Sequence, residues 1–277
     1  MTESLLKRAY LSNGFAVSPP VHDAVALERA VVATEHIQRH CTDLPAKLAE
    51  KLVFERTLPA AKRDGLTPEA TGDAIFIIGD PPAFDPLFAE FIVAPDLVAL
   101  VRDLLGTHDI RCHFSNVTMK RGRVGSGIGW HRDFPNRYVC PSGPTFLRVM
   151  ICLDGMDEAN GATRFVSGSH RVTDAQAAMV KGAAVAEADG AHIATAVCGP
   201  GALVFIHPKS VHGGPPNASP RHRRNLIVQW GRADDPPQAS DDRYEETLGG
   251  LSVDEIRDWV QRAAAIASPS AAAAHCR

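Results

Sequence analysis

Between residues 110 and 232 the chain breaks into short β-rich runs: "RCHFSNVTMKRG", "FLRVMICLDGM", "ATRFVSGSH", "IATAVCG", "ALVFIHP" and "NLIVQWGR". Each is rich in branched or aromatic residues and is closed by glycine, proline or asparagine. Little helical periodicity lies between them. Short strands without crossover helices do not build a parallel α/β sheet; they favour a sandwich or jelly roll. The fold expected is therefore mainly β with flanking helices.

The first hundred residues read as mixed α and β. "LLKRAYLSNGFAVSPPV" fits a helix, an Asn-Gly turn and a short strand stopped by the proline pair. "HDAVALERAVVATEHIQRHC" carries apolar residues at helical spacing, with His22 or Asp23 near its start. "PLFAEFIVAPDLVALVRDLLG" reads as two helices, the second opened by Pro95-Asp96 and closed by Gly106. Near the end, "SVDEIRDWVQRAAAIA" is amphipathic, with Ser252 as a cap and Glu255 three residues on. No internal repeat or linker divides the chain. We expect one domain over 1–268, with a β core at about 110–232, N-terminal helices outside it and a frayed Ala/Ser tail at 269–277.

With 277 residues the chain can bury a substantial core, and a net charge of −3 gives no global attraction to nucleic acid or anionic membrane. The one basic run, "RHRR" at 221–224, has no aromatic residues interleaved. No apolar run reaches bilayer length, and "MTESLLKRAY" lacks the pattern of an export signal. Six cysteines are dispersed without a CxxC pair, so reduced thiols acting as small buried hydrophobes are expected, in the cytoplasm. A small-molecule substrate is the expected partner, with no nucleic acid and no membrane, on a monomer or homodimer.

The chemistry concentrates in "GIGWHRDFPNRY" (127–138), which holds the only His-x-Asp of the chain. On an extended strand residues i and i+2 share a face, so His131 and Asp133 project together and Arg132 points away. A third ligand can come from "ALVFIHPKSVHGGPPN", where His212 lies in a glycine- and proline-rich turn and His207 is the substitute. Two histidines and one carboxylate on one face, with three positions open, is the arrangement of non-haem Fe(II) oxygenases.

Three motifs in order resemble the phytanoyl-CoA dioxygenase family of Fe(II)/2-oxoglutarate-dependent oxygenases. "WHRD" resembles its H-x-D element. "NGATRFVSGSH" (160–170) resembles its N-G-A-x-x-x-x-P-G-S-H element, with Ser167 where proline is usual. "HPKSVHGGPPNASPRHRRNL" resembles its distal H-x-x-x-x-N-x-S-x-x-x-R-R segment, and "YLSNGFAV" fits its opening strand. The match runs from about residue 5 to 232. It implies a double-stranded β-helix (jelly roll, cupin-like) with iron on His131, Asp133 and His212.

The resemblance also places the far carboxylate of 2-oxoglutarate on Arg223, eleven residues after His212, with Arg221 and Arg224 as competitors. The physical case is independent: a dianion entering a barrel needs a fixed cation at depth, and a guanidinium binds a carboxylate through two parallel hydrogen bonds. In "FSNVTMK", Phe114, Asn116, Thr118 and Lys120 share one face, and family members draw polar cosubstrate contacts from this strand, which makes Asn116 and Thr118 candidates. Several relatives have a serine two residues after the distal histidine, where this chain has Gly214. Arg137, Tyr138 and Lys120 are candidates for a polar or anionic substrate. Trp130 and the alternating His113 are read as packing.

The implied activity uses Fe(II), 2-oxoglutarate and O2 to hydroxylate an unactivated C–H of a small molecule, releasing succinate and CO2. A carboxylate at Asp133 argues for hydroxylation, desaturation or ring closure and against halogenation. The rivals are a cupin-like hydrolase or isomerase using another metal, and a non-catalytic binding module on the same barrel.

Overall fold

The computed structural model describes residues 4–63, 65–136, 139–188, 192–238 and 246–267. Eleven strands run in chain order: β1 Phe15–Pro20, β2 Leu52–Phe54, β3 Ile75–Gly79, β4 Ile110–Lys120, β5 Ile128–His131, β6 Phe146–Cys152, β7 Arg164–Val166, β8 Ile193–Thr195, β9 Ala202–Ile206, β10 His212–Gly214 and β11 Arg223–Arg232. The described α-helices are α1 Leu5–Asn13, α2 Ala24–Arg39, α3 Ala46–Ala49, α4 Pro68–Thr71, α5 Leu87–Ile92, α6 Pro95–Leu105, α7 Asp174–Met179, α8 Gly182–Ala188 and α9 Val253–Ala267.

A seven-stranded sheet in the order β1-β9-β6-β11-β4-β3-β2 stands opposite a four-stranded sheet, β5-β10-β7-β8, and the pairings are antiparallel. Phe165 of the small sheet packs with Met150, Cys152, Val204 and Ile206 of the large one, closing the jelly roll. The large sheet extends beyond the 110–232 stretch, because β1, β2 and β3 from the N-terminal region join its edges.

Alternation along the central strands separates two environments. Leu226, Val228 and Trp230 of β11 join Leu147, Val149 and Ile151 of β6 in a core shared with Leu27, Phe88, Leu97 and Ile256 from the outer helices. Fully burying such a side chain contributes about 1.5–3 kcal/mol. The intervening residues of β11, Arg223, Asn225, Ile227 and Gln229, turn into the barrel, and β4 sets Lys120, Thr118, Asn116 and Phe114 directly across from them.

Local signals explain the ends of the helices. Asp23 caps α2 and Gly106 ends α6 in the left-handed region. Ser252 and Glu255 exchange hydrogen bonds at the start of α9. Two features depart from the sequence reading: α7 and α8 interrupt the β region between β7 and β8, and a bulge in β4 leaves His113 opposite no residue of β11. His113 therefore leaves strict alternation, and its ring reaches the inward-facing Gln229. The tail at 269–277 lies outside the described residues, as does the expected domain end at 268. Among the described residues no helix is long and apolar enough to cross a membrane, and the described cysteines are free thiols.

Candidate metal centre

β5 and β10 are antiparallel neighbours with His131 and His212 as direct cross-strand partners, their ring centroids 4.2 Å apart. His131 Nδ1 lies 2.9 Å from the carbonyl of Gly129, and His212 Nδ1 lies 3.1 Å from that of Ser210. A carbonyl only accepts, so each Nδ1 carries the proton and donates, and each Nε2 keeps a free lone pair. Burial, reinforced by the neighbouring His131, pushes the His212 pKa down to about 4. Its ring is neutral at physiological pH.

Asp133 sits in the turn just beyond β5, not on the strand itself. The turn is fixed because the Asp133 and Phe134 N–H groups both donate to the Pro208 carbonyl, at 2.9 and 2.8 Å. Asp133 Oδ1 is 3.7 Å from His131 Nε2, and Oδ2 is 3.8 Å from His212 Nε2. The carboxylate is fully buried, and neither oxygen accepts an aligned hydrogen bond. Arg148 Nη1 approaches Oδ1 to 2.6 Å as a charge partner. Burial pushes the Asp133 pKa up, but Arg148, followed by the His212 and His131 rings, outweighs it and holds the carboxyl below its usual range.

The three ligand atoms lie within 4.8 Å of one another, the one such group among the described residues. Two imidazole lone pairs and an under-coordinated anionic oxygen fit a divalent transition-metal ion. The His131 side chain is 40% exposed, so the group opens toward solvent on one side. His207 is not brought there. Its Nδ1 accepts the Lys209 N–H at 3.1 Å, and its ring packs near Tyr10 and His170.

The three competing arginines have separate environments. Arg221 is 60% exposed and pairs with Asp157. Arg224 faces the helices, where it binds Asp154 and Glu35. Arg223 alone is buried inside the barrel, 1% exposed. Its Nη1 donates to the Gly161 carbonyl at 2.9 Å, while its buried Nε has no partner. Burial pushes its pKa down to about 10, which leaves it cationic at neutral pH.

Lys120, placed with the substrate candidates from sequence, is fully buried directly across from Arg223. Its Nζ donates to the Gly161 carbonyl at 3.0 Å and also to that of Pro215. Burial first, then the Arg223 charge, lower its pKa to about 6. Lys120 thus belongs to the Arg223 end of the barrel. A Cβ on Gly214 would stand 3.4 Å from Lys120 Nζ, so the lysine nitrogen lies beside the position where the family resemblance leads one to expect serine. Gly161, at φ +78°, lies so close to Pro215 and Pro216 that a Cβ would come within 2.8 Å of both carbonyl oxygens. The "NGATRFVSGSH" motif therefore turns a carbonyl toward both Lys120 and Arg223.

Thr118 donates to Asn116 Oδ1 at 3.1 Å on the same inner face. Arg137 and Tyr138 lie outside the described residues. Trp130 packs against a small cluster formed by Val166, Ala186 and Val211. Sequence reading missed Arg148, although its signal was present: it is the one charged residue in an otherwise apolar strand, "FLRVMIC".

A jelly roll whose inner walls bring two imidazoles and one carboxylate together is the scaffold of a non-haem iron oxygenase. The model of the phytanoyl-CoA dioxygenase (PhyH) family matches residues 10–225. The chain belongs to this family of Fe(II)/2-oxoglutarate-dependent oxygenases. It is 26% identical over 215 residues to an ectoine dioxygenase of Bordetella parapertussis, covering 68% of this chain and 67% of that one. A probable alpha-ketoglutarate-dependent hypophosphite dioxygenase of Stutzerimonas stutzeri is 29% identical over 148 residues, half of each chain. In three dimensions the fold is similar to EctD from S. alaskensis, solved with 2-oxoglutarate and 5-hydroxyectoine: the TM-score is 0.71 at 19% identity, over 91% of this chain and 86% of that one.

Proposed function

We propose that the chain hydroxylates an unactivated C–H of a small polar or anionic molecule, with His131, Asp133 and His212 holding Fe(II) and Arg223 anchoring 2-oxoglutarate. The observation that carries this reading is the convergence of two free Nε2 lone pairs on a buried carboxylate whose oxygens lack aligned hydrogen bonds. Relatives named for ectoine and hypophosphite, both small and polar, support the substrate class.

The bound ion would supply the oxidising chemistry: O2 and 2-oxoglutarate are consumed, one oxygen atom enters the substrate C–H, and the other leaves in succinate with release of CO2. The protein's part is positional. The His131 and His212 rings are held by the carbonyls of Gly129 and Ser210, each two residues earlier in the chain, and Asp133 by the Pro208 carbonyl. Arg223 has an unpaired Nε to offer a carboxylate, with Thr118 and Asn116 on the same wall. An arriving carboxylate favours the charged form of Lys120 and so draws both cations to one anion. The apolar floor formed by Met150, Val204 and Phe165 keeps water from the interior. The five described cysteines, all free thiols, suit the cytoplasm, and a monomer or homodimer is the expected state.

The test is anaerobic addition of Fe(II) and 2-oxoglutarate to the purified chain. A visible charge-transfer band, then succinate formation on admitting O2, is expected. Both should vanish in Asp133→Ala and His212→Ala. Metal binding without succinate would favour the hydrolase or isomerase, and neither signal would favour a silent binding module.

A further inference from the structure

Arg148 plays no part in the reading above, yet it is the charged side chain nearest the ligand carboxylate. β6 is buried along its whole length, and Arg148 is its single ionic residue. Placing a guanidinium there is costly unless its charge and its N–H groups are met. Nη1 meets Asp133 Oδ1 at 2.6 Å, Nε donates to Gln229 Oε1 at 3.2 Å, and the cation lies 4.9 Å from the Phe114 ring centroid. Gln229 and Arg148 are direct cross-strand partners, and Phe114 follows on the next strand. The Gln229 amide is itself oriented, because its Nε2 donates to the Val139 carbonyl and to His113 Nδ1, both at 3.0 Å. Only Oε1 is then left to face the arginine. The β4 bulge is what brings the His113 ring to this amide.

We infer that Arg148 is a positioning residue for the metal centre, engaging one oxygen of Asp133 so that the other is offered to the ion, with Gln229 and Phe114 holding the guanidinium in place. This rests on the proposed triad and adds to it. Oδ1 is the oxygen that Arg148 Nη1 approaches, at 2.6 Å, whereas Oδ2 is the oxygen nearest His212 Nε2, at 3.8 Å. A carboxylate held this way would present a single oxygen to a bound ion. A purely structural Arg148 would only neutralise a buried charge, and the two roles separate experimentally.

The full-length chain is titrated with Co(II), read by its d–d absorption, with and without 2-oxoglutarate. Wild type and Asp133→Ala test the triad: binding lost in D133A supports it, and no binding by wild type overturns the triad and this inference together. Arg148→Met, Arg148→Lys and Gln229→Leu test the inference. We expect Co(II) affinity to fall about tenfold or more in R148M, with a changed d–d spectrum, to return partly in R148K, and to fall by a smaller factor in Q229L. Wild-type affinity and spectrum in a folded R148M would overturn it. If R148M does not fold, Q229L decides, because it keeps the arginine and releases its anchor; unchanged Co(II) affinity and spectrum there would overturn the inference equally.

Discussion

Arg221, Arg223 and Arg224 stand within four residues, yet their surroundings differ completely. β11 begins at Arg223 and sends it inward, and the next residue points to the helices. Arg223→Ala should therefore abolish measurable 2-oxoglutarate binding by calorimetry, with Arg223→Lys retaining weak binding. Arg221→Ala should leave it within about twofold of wild type, since a solvent-exposed ion pair contributes only about 0–1 kcal/mol. Arg224→Ala should lower the melting temperature without changing cosubstrate affinity, because that guanidinium ties β11 to Glu35 of α2. Equal loss in all three variants would contradict the assignment. The sequence left these residues open because a run of adjacent arginines does not reveal where the strand starts. Lys120, read as a substrate candidate, is buried across from Arg223, a depth that cannot be seen until the chain that covers the strand end is known. Arg148, by contrast, could have been found as a charge among apolar neighbours.

At the level of elements, most strands of the β region, the two N-terminal helices and the caps were legible because period and turn chemistry are local properties, whereas β10 was read as a turn. The faces of β4 near His113 were not, since a bulge depends on the partner strand. Nor was the docking of α1 onto the sheet that carries His131 and His212. Gly14 ends α1 at φ +82°, and its carbonyl accepts the His207 N–H at 2.9 Å and the Ser210 hydroxyl at 2.6 Å. His170 meets the Leu11 carbonyl at 3.0 Å, and Ser169 Oγ accepts the Val211 N–H at 2.9 Å. The "GSH" element thus joins α1 to the strand bearing His212. A Cβ on Gly14 would overlap Ser210 Oγ and the His170 ring. Gly14→Ala should cost at least about 2 kcal/mol in chemical denaturation, from the left-handed backbone and the overlap together. It should also weaken Co(II) binding, because Ser210 supplies the carbonyl that orients His212. Wild-type denaturation and metal affinity in this variant would show that the junction is not needed.

Across the whole molecule, buried titratable groups set the response to pH. Burial pushes His113 down to about 4 and, with the His170 charge adding to it, His207 down to about 3. Their unfolded counterparts protonate near 6.5, so the stability they contribute is present above that pH and lost as it falls toward 4 and 3. Glu246 has the opposite sign. Burial first, then the Asp80 charge, raise its pKa to about 8, so its contribution is present below about 4.5 and lost as pH rises through 8. Lys120 titrates across the same region, which makes the difference between variant and wild type the useful measurement. The melting temperature of Glu246→Gln minus that of wild type should climb between pH 4.5 and 8 and then level off. A constant difference across that range would exclude the buried acid as its source. The cross-strand pairing of His131 with His212 has a last consequence at this scale. Slipping β10 by one residue against β5 would turn one imidazole to the far side of the sheet. On the proposed triad, chelation would tolerate a single alignment of the small sheet, so cation uptake would double as proofreading of the barrel's closure, and chains closed out of step would remain unmetallated and be separable on that basis.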